Sequence, residues 1–471
     1  VERGAHAAAA LDQPARLEGR QAGRGRPLLN GHPLPQFRRD LWQPLDLGPP
    51  GVDEHHTQRC RFRVPDAWQE RTLLRVGAAD WEARVVLDGD ELATHRGGYT
   101  HFTVDLGTLA PGGEHELVIE SRDPHDDAFG QAKGKQRGSH DIWYTRTTGV
   151  WRPVWIEGVP GEYIRDPQPL LDAIEIESPR LWSPADPFLY EVDLRLGDDV
   201  VHSYKGFRTF EKRGRELYLN GERIRLAGVL DQGFWPDTVY AADDAKLRFD
   251  VAATKEAGFN LSRKHVKVED PRWYAYCDRA GLLVAQDMPS AHSLAGEEIR
   301  EQFRREWLEI VGQLRNHPSI VMWIPINEDW GGPPPDFQRE LVRATRTADP
   351  TRLVVDASGW KQLDDTDLVD VHDYGAELTK HVEKRREEIP LWIGELGGLS
   401  LGTGDFVYRH VDDLADGYRR LVEQIPDDVA GFVWTQLSDV EQEQNGLLTY
   451  DRRWKTDPAA IRAVNEAFLR A

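Results

Sequence analysis

The sequence predicts a multidomain chain: an N-terminal β-sandwich, a short β module and a C-terminal (β/α)8 TIM barrel. Three observations carry this. Between residues 60 and 160, short alternating segments are separated by turns such as Leu87-Asp88-Gly89-Asp90 and Pro111-Gly112-Gly113. From residue 215 the rhythm becomes strand, loop, helix, with eight strand runs in all, the period and size of a barrel. A length of 471 residues suits two to four domains, each with its own core.

In chain order, residues 1–36 are rich in Arg, Gly and Pro without periodicity and read as a tail or irregular wrap. The alanine run at residues 7–10 is too short and too weakly apolar for a signal-peptide core. The sandwich spans 37–162, with strands expected at 60–64, 72–76, 83–87, 102–106, 116–120 and 150–157. Residues 131–138, which carry Lys133, Lys135 and Arg137 among glycines, read as a solvated loop. Residues 163–214 hold strand candidates at 173–176, 189–196 and 204–210, enough for a reduced module only. In the barrel, 215–471, strand runs occur at 224–229, 259–263, 282–286, 320–325, 353–356, 368–373, 391–395 and 430–435. Helices are expected at 242–257, 271–280, 297–315, 337–347, 378–387 and 411–425. The strand runs are apolar on both faces, as strands enclosed by helices are. An open doubly wound sheet is the alternative, disfavoured because no Gly-rich phosphate loop follows any strand.

Composition excludes several classes. With 59 basic against 80 acidic residues the net charge is −21, which disfavours nucleic acid and anionic membrane as partners. No run approaches the ~18 apolar residues a membrane span needs. Two cysteines, Cys60 and Cys277, cannot build a disulfide framework, and no Cys/His cluster has zinc spacing. A cytoplasmic chain is expected in preference to a secreted one, and a homo-oligomer is left open. Sixteen tryptophans suit sugar faces as well as cores.

In a barrel, function collects at the C-terminal ends of the strands. Those ends read Asp231-Gln232, Arg263-Lys264-His265, Gln286-Asp287, Asn327-Glu328-Asp329, Asp356, His372-Asp373-Tyr374, Glu395 and Trp434. So many polar groups closing apolar strands point to a polar ligand, since burying them without partners is costly. Glu328 and Glu395 each close an apolar run as a lone carboxylate, and a pair of carboxylates is what glycosidic-bond hydrolysis requires. The alternative is that either Glu pairs with Arg263 or Lys264 and merely closes the barrel top.

The segment Arg315-Asn316-His317-Pro318-Ser319-Ile320, followed by Trp323 and Asn327-Glu328, resembles glycoside hydrolase family 2. So does the Asn-x-x-Arg-x-His segment from Asn260 to His265. Upstream, Gly97-Gly98-Tyr99-Thr100-His101-Phe102 and Thr148-Gly149-Val150-Trp151-Arg152-Pro153-Val154-Trp155 look like the family's jelly-roll-like sugar-binding sandwich. Leu181-Trp182-Ser183-Pro184 and Gly206-Phe207-Arg208 look like the end of its immunoglobulin-like domain, here shortened. The resemblance implies a retaining mechanism with Glu328 as general acid/base and Glu395 as nucleophile. It further implies that Asn327 holds the sugar 2-hydroxyl, that Arg263 keeps Glu395 ionised and that the Tyr374 hydroxyl touches the nucleophile. Trp434 would form the floor under the sugar in the −1 subsite. Asp231, His265 and His372 are the candidates for hydroxyl ligands, and Trp360 for an exposed substrate contact. No organic cofactor and no metal are expected.

The implied substrate is a carbohydrate. The family's glucuronidases carry an Asn-x-Lys pair for the uronate, where this chain has Glu441-Gln442-Glu443-Gln444-Asn445. Glu441 and Glu443 would repel a uronic acid, so an exo-acting enzyme on a neutral glycoside is expected, a β-galactoside first. β-Glucosides, β-mannosides, arabinosides and β-glucuronides are the alternatives within the family. A non-catalytic carbohydrate-binding protein and a metal-dependent hydrolase, using His265, His372, Asp287 and Asp356, are the alternatives outside it.

Overall fold

The computed structural model describes residues 16–21, 36–38, 41–68, 70–124, 131–380, 384–402 and 409–471. Most of the expected tail and part of the helix expected at 378–387 lie outside them. One piece of the tail, Arg16–Gln21, is not a tail at all. It is a strand paired antiparallel with Tyr190–Leu196, which pairs in turn with Asp199–Lys205.

The sandwich is two four-stranded antiparallel sheets. One runs Trp42–Leu45, Val154–Val159, Arg71–Val76, Phe102–Asp105, and the other His55–Arg63, Glu114–Arg122, Glu82–Leu87, Asp90–Arg96. Alternation places Phe62, Leu74, Val76, Val85, Leu117, Ile119 and Ile156 between the sheets as one apolar core.

The barrel strands are β1 (Leu226–Asp231), β2 (Leu261–Lys264), β3 (Leu283–Asp287), β4 (Ile320–Ile324), β5 (Leu353–Val354), β6 (Val369–Asp373), β7 (Leu391–Gly397) and β8 (Gly431–Thr435). They are parallel, in the order β5-β4-β3-β2-β1-β8-β7-β6. Read cyclically, this is chain order, so the doubly wound alternative is set aside. The seam between β5 and β6 is bridged by the Asp367 N–H, which donates to the Val354 carbonyl at 2.9 Å. Outside lie α1 (Asp244–Glu256), α2 (Pro271–Ala280), α3 (Glu297–Leu314), α4 (Pro335–Ala348), α5 (Leu414–Val422) and α6 (Pro458–Arg470). Asp243, Asp270, Asp413 and Asp457 accept backbone N–H bonds at the starts of α1, α2, α5 and α6.

Two accessory pieces seat on the barrel. Below it, Trp182, Tyr204, Phe210 and Leu217 join the barrel's inner apolar cluster. His317 Nδ1 lies 2.6 Å from Asp278 Oδ2, which also accepts from the Tyr204 hydroxyl at 2.6 Å. The Arg-Asn-His-Pro motif therefore anchors the short β module. At the side, the sandwich motifs dock on α3: the Tyr99 N–H donates to Glu306, and Thr100 and His101 meet Glu309 and Gln313. Tyr99 also shares a hydroxyl contact with Tyr240 at 2.7 Å.

Residues 131–138 correct the expectation of a solvated loop. Gln131, Lys133, Lys135 and Gln136 are buried, and the polar heads of Lys133, Lys135 and Gln136 each find a partner. Lys133 pairs with Asp80 and Asp123, and Lys135 crosses to the barrel to meet Glu443. The Gly134 Cβ position is filled by the Val266 carbonyl, so this strap runs hard against the barrel rim, at a φ of +56°.

Candidate active site

Strand parity decides which side chains reach the barrel mouth. In β1, Leu226 and Leu230 belong to the inner cluster, while Ala227 and Val229 face the helices. Asp231 continues the outer set: it pairs with Lys264 at 2.7 Å and accepts the Gly233 N–H. Lys264 is likewise turned outward, over the Trp273 ring on α2. Asp231 is thus committed to a strand–helix network and is not among the groups gathered at the mouth. Gln232, one residue on, has the inward parity, and neither of its buried amide atoms has a hydrogen-bond partner among the described residues.

In β8 the same rule separates Thr435 from Trp434. The Thr435 hydroxyl lies 3.2 Å from the Tyr374 hydroxyl, whereas Trp434 is fully buried on the other side, its ring 4.5 Å from that of Tyr418 on α5. Trp434 packs the barrel wall against the helix layer and does not form the expected floor. Trp323 also faces outward, T-shaped against Trp307 of α3.

Glu395 breaks the parity, and a bulge explains how. Trp392 points inward and Ile393 outward, so strict alternation would turn Glu395 away. The register slips between Ile393 and Leu396, which sends Leu396 outward and Glu395 into the mouth. Glu328 follows the β4 extension, where Asn327 bridges to Ser358 and the Glu328 N–H donates to the Ser358 carbonyl at 2.8 Å. Its φ of 54° lies in the left-handed region, unusual for a glutamate and held there by those bonds.

The two carboxylates meet across His372. Its Nδ1 is 2.7 Å from Glu328 Oε1 and 3.3 Å from Glu395 Oε2, and one donor atom of each residue lies within 4.8 Å of the others. On the far side Arg263 reaches Glu395 Oε1 at 3.2 Å, and the Tyr374 hydroxyl donates to Oε2 at 2.6 Å. Burial pushes the Glu395 carboxyl up, but the charges of His372 and Arg263 outweigh it and hold the group at about 2. Burial pulls His372 down, while Glu395 and the Glu328 bond raise it on balance.

Arg263 is fully buried and organises the floor. It binds Asp287 at 2.9 Å and donates to the side-chain Oδ1 of Asn327 and to the Ser358 hydroxyl, each at 2.9 Å. Ser358 also donates to Asn327 Oδ1, so the amide N–H groups of Asn327 are turned away from this pair. His265 Nδ1 lies 2.8 Å from Asp287 Oδ2; burial lowers its pKa. Trp360 is exposed, as its loop position suggested.

The structure adds two aromatics that the sequence reading did not single out. Trp330 donates its indole N–H to Glu328 Oε2 at 3.0 Å. Trp143, from the sandwich strap, packs its ring 4.9 Å from Trp330 and 5.3 Å from His292. Glu443 is held by Lys135 at 3.2 Å and by the Tyr144 hydroxyl, and Glu441 accepts the Thr145 N–H. The acidic loop therefore faces the strap rather than standing open to a ligand. Of the four residues weighed as metal ligands, Asp287 is occupied by Arg263 and His265. Asp356 accepts from Gln338 and the Leu363 N–H, away from His372. The compact trio Glu328, His372 and Glu395 has a guanidinium already at Glu395, which opposes a cation there.

The family description "Glycosyl hydrolases family 2" matches residues 132–208, and "Glycosyl hydrolases family 2, TIM barrel domain" matches residues 210–389, together more than half of the chain. A β-galactosidase of Thermoanaerobacter pseudethanolicus is 24% identical over 383 residues, 67% of this chain and 50% of that protein. Among solved structures, a family 2 β-galacturonidase from Eisenbergiella tayi bound to galacturonate superposes with a TM-score of 0.75 at 16% identity. That superposition covers 92% of this chain and 97% of the other. A β-D-glucuronidase of Dictyoglomus thermophilum gives 0.73 at 17%, covering 91% and 98%. At these identities the structural likenesses establish the shared fold. The chain spans 21% to 50% of the length of the first curated relatives it matches.

Proposed function

Because the chain belongs to glycoside hydrolase family 2, we propose that it is an exo-acting retaining β-glycosidase, with Glu395 as nucleophile and Glu328 as general acid/base. The observation that carries this reading is the close approach of the two carboxylates, their nearest donor atoms within 4.8 Å. A pair separated by about 5 Å suits double displacement, whereas an inverting pair stands farther apart to admit water.

In the first step Glu395 attacks the anomeric carbon while Glu328 protonates the departing oxygen. The His372 and Arg263 charges keep Glu395 an anion throughout the neutral range. Tyr374 fixes one of its oxygens and Arg263 the other, which aims the attack. In the second step Glu328 takes a proton from water, which displaces Glu395 and releases the sugar. Asn327, oriented by Arg263 and Ser358, is the donor for the sugar 2-hydroxyl. Gln232 and Gln436, whose buried amides hold atoms with no hydrogen-bond partner among the described residues, are candidates for the remaining hydroxyls.

Neutral amides, and buried cations that already carry acidic partners, support a neutral sugar, a β-galactoside first. A β-uronide is the second reading. It is favoured by one observation: Lys135 and Tyr144 bind Glu443, which removes the repulsion that had argued against a uronate. Release of nitrophenol from β-galactoside, β-glucoside, β-mannoside, β-glucuronide and arabinoside substrates tests both. Turnover of a neutral β-glycoside supports the first reading, and turnover of the uronide alone supports the second. Silence of a folded sample across the panel counts against both.

A further inference from the structure

We propose that Trp143, carried in by the sandwich strap, forms with Trp330 the platform on which the leaving group of the substrate stacks, and that this group is a second sugar ring. The inference rests on the retaining-glycosidase reading and extends it to the aglycone side. Both tryptophans are only partly buried, their rings 4.9 Å apart, next to the oxygen of Glu328 that accepts the Trp330 N–H. The departing oxygen must lie beside Glu328 to receive its proton, so whatever is attached to that oxygen lies over these indoles. Flat indole faces take the C–H face of a pyranose, and polar groups on the rim meet its hydroxyls. Arg137 sits 5.4 Å over the Trp143 ring, and Ser139 and Gln442 bond to each other at the edge of the same loop.

The strap is built to hold Trp143 in place. Gln442 donates to the carbonyls of Asp141 and Trp143, on either side of Ile142. Lys135 and Tyr144 fasten the strap to Glu443, and the N–H groups of Lys133 and Gly134 both donate to the Ser290 carbonyl after β3. The sandwich thus contributes a residue to the barrel's site, and its motifs on α3 act as the dock that positions it.

Reactivation of the trapped enzyme separates a substrate contact from a structural role. The enzyme is inactivated with the 2-deoxy-2-fluoro glycosyl fluoride of whichever sugar the nitrophenyl panel shows it to turn over, then diluted into buffer with or without methyl β-glucopyranoside. In both media the ester bond to Glu395 breaks as an oxygen bonds to the anomeric carbon and its proton passes to Glu328. Only the sugar acceptor needs the platform. Wild-type enzyme should reactivate faster with the acceptor. Trp143→Ala should lose about tenfold of that acceleration while reactivation by water stays within about twofold. Trp143→Phe should keep most of it. Equal slowing by water and by acceptor would make Trp143 a support for Glu328 and overturn the proposal. So would undiminished acceleration in Trp143→Ala, or none in the wild type. If the wild type is never trapped, the retaining reading itself fails, and the platform fails with it.

Discussion

The indole N–H of Trp330 and the carboxylate of Glu328 are 3.0 Å apart, on the oxygen opposite the one that His372 contacts. Glu328 is therefore held from two sides, by a neutral donor and by an imidazole. Trp330→Phe keeps the ring and deletes the donor. A hydrogen bond to a charged group contributes roughly 1.5–3 kcal/mol, so kcat/KM on alkyl glycosides should fall by about tenfold or more. Dinitrophenyl glycosides, which leave with little acid assistance, should be much less affected. An equal fall on both substrate types would mean that Trp330 supports the loop and not the carboxylate.

The two glutamates should fail differently. Glu395→Gln removes the proposed nucleophile and should abolish turnover of every substrate. Glu328→Ala should still release activated aryl groups in a burst and then stall, with azide restoring the second step and yielding a glycosyl azide. Product analysis by mass spectrometry reads the outcome, and the absence of azide adduct would remove Glu328 from the acid/base role.

Chelation tests the compact trio of Glu328, His372 and Glu395 directly. With Arg263 3.2 Å from Glu395, the positive charge a cation would bring is already supplied by the protein. Prolonged treatment with EDTA, followed by removal of the chelator, should leave kcat/KM within about twofold of the untreated enzyme. A larger loss restored by one divalent metal would establish a metal site.

Much of this was legible in the sequence because barrel strands are apolar runs with polar ends. The ends of β4, β6 and β7 delivered Glu328, His372, Tyr374 and Glu395 to one place. What failed was parity. Asp231 and Trp434 close the right strands but on the outward face, and a one-residue difference in a period of two separates a ligand from a wall residue. Glu395 reaches the mouth only through a bulge, which no pattern of apolar residues announces. The strap was missed for another reason. Lysines among glycines look solvated until their partners are known, and Asp80, Asp123 and Glu443 lie 53, 10 and 308 residues away from Lys133 or Lys135 in sequence. Trp143 followed the strap and was lost with it.

With Glu395 as the proposed nucleophile, His372 should set the acid side of the pH profile. Burial raises the Glu395 carboxyl, and His372 is the foremost of the charges that bring it down to about 2. In His372→Gln only Arg263 and weaker contacts oppose burial, so the acid limb of kcat/KM should move to higher pH by about one unit or more. The stability effect has the opposite pH sense. The His372 pKa is raised in the fold, so its contribution is complete below its unfolded value of about 6.5 and is lost as pH rises through the folded value. The variant should thus lose more Tm at pH 5.5 than at pH 9. An unmoved acid limb would show that Arg263 and the weaker contacts suffice to keep Glu395 ionised.

The Lys135–Glu443 pair, 3.2 Å apart and nearly inaccessible on both sides, fastens the sandwich to the barrel. Glu443 also takes the Tyr144 hydroxyl and the Asn445 amide, so its carboxylate is fully engaged where water does not reach. Lys135→Met removes the one cation among the described partners of Glu443 and strands the carboxylate. Breaking a buried pair from one side costs roughly 3–5 kcal/mol, mostly the cost of the charge left behind. Glu443→Gln alone strands the ammonium instead and should cost a similar amount. The double variant Lys135→Met/Glu443→Gln leaves a methionine and an amide that can still meet Tyr144 and Asn445, and should recover most of the Tm lost by either single change. Thermal unfolding of all four proteins gives the coupling directly. Additive losses would mean that the strap is held by its other contacts, through Lys133 and the Ser290 carbonyl, and that this ion pair contributes little to seating the sandwich.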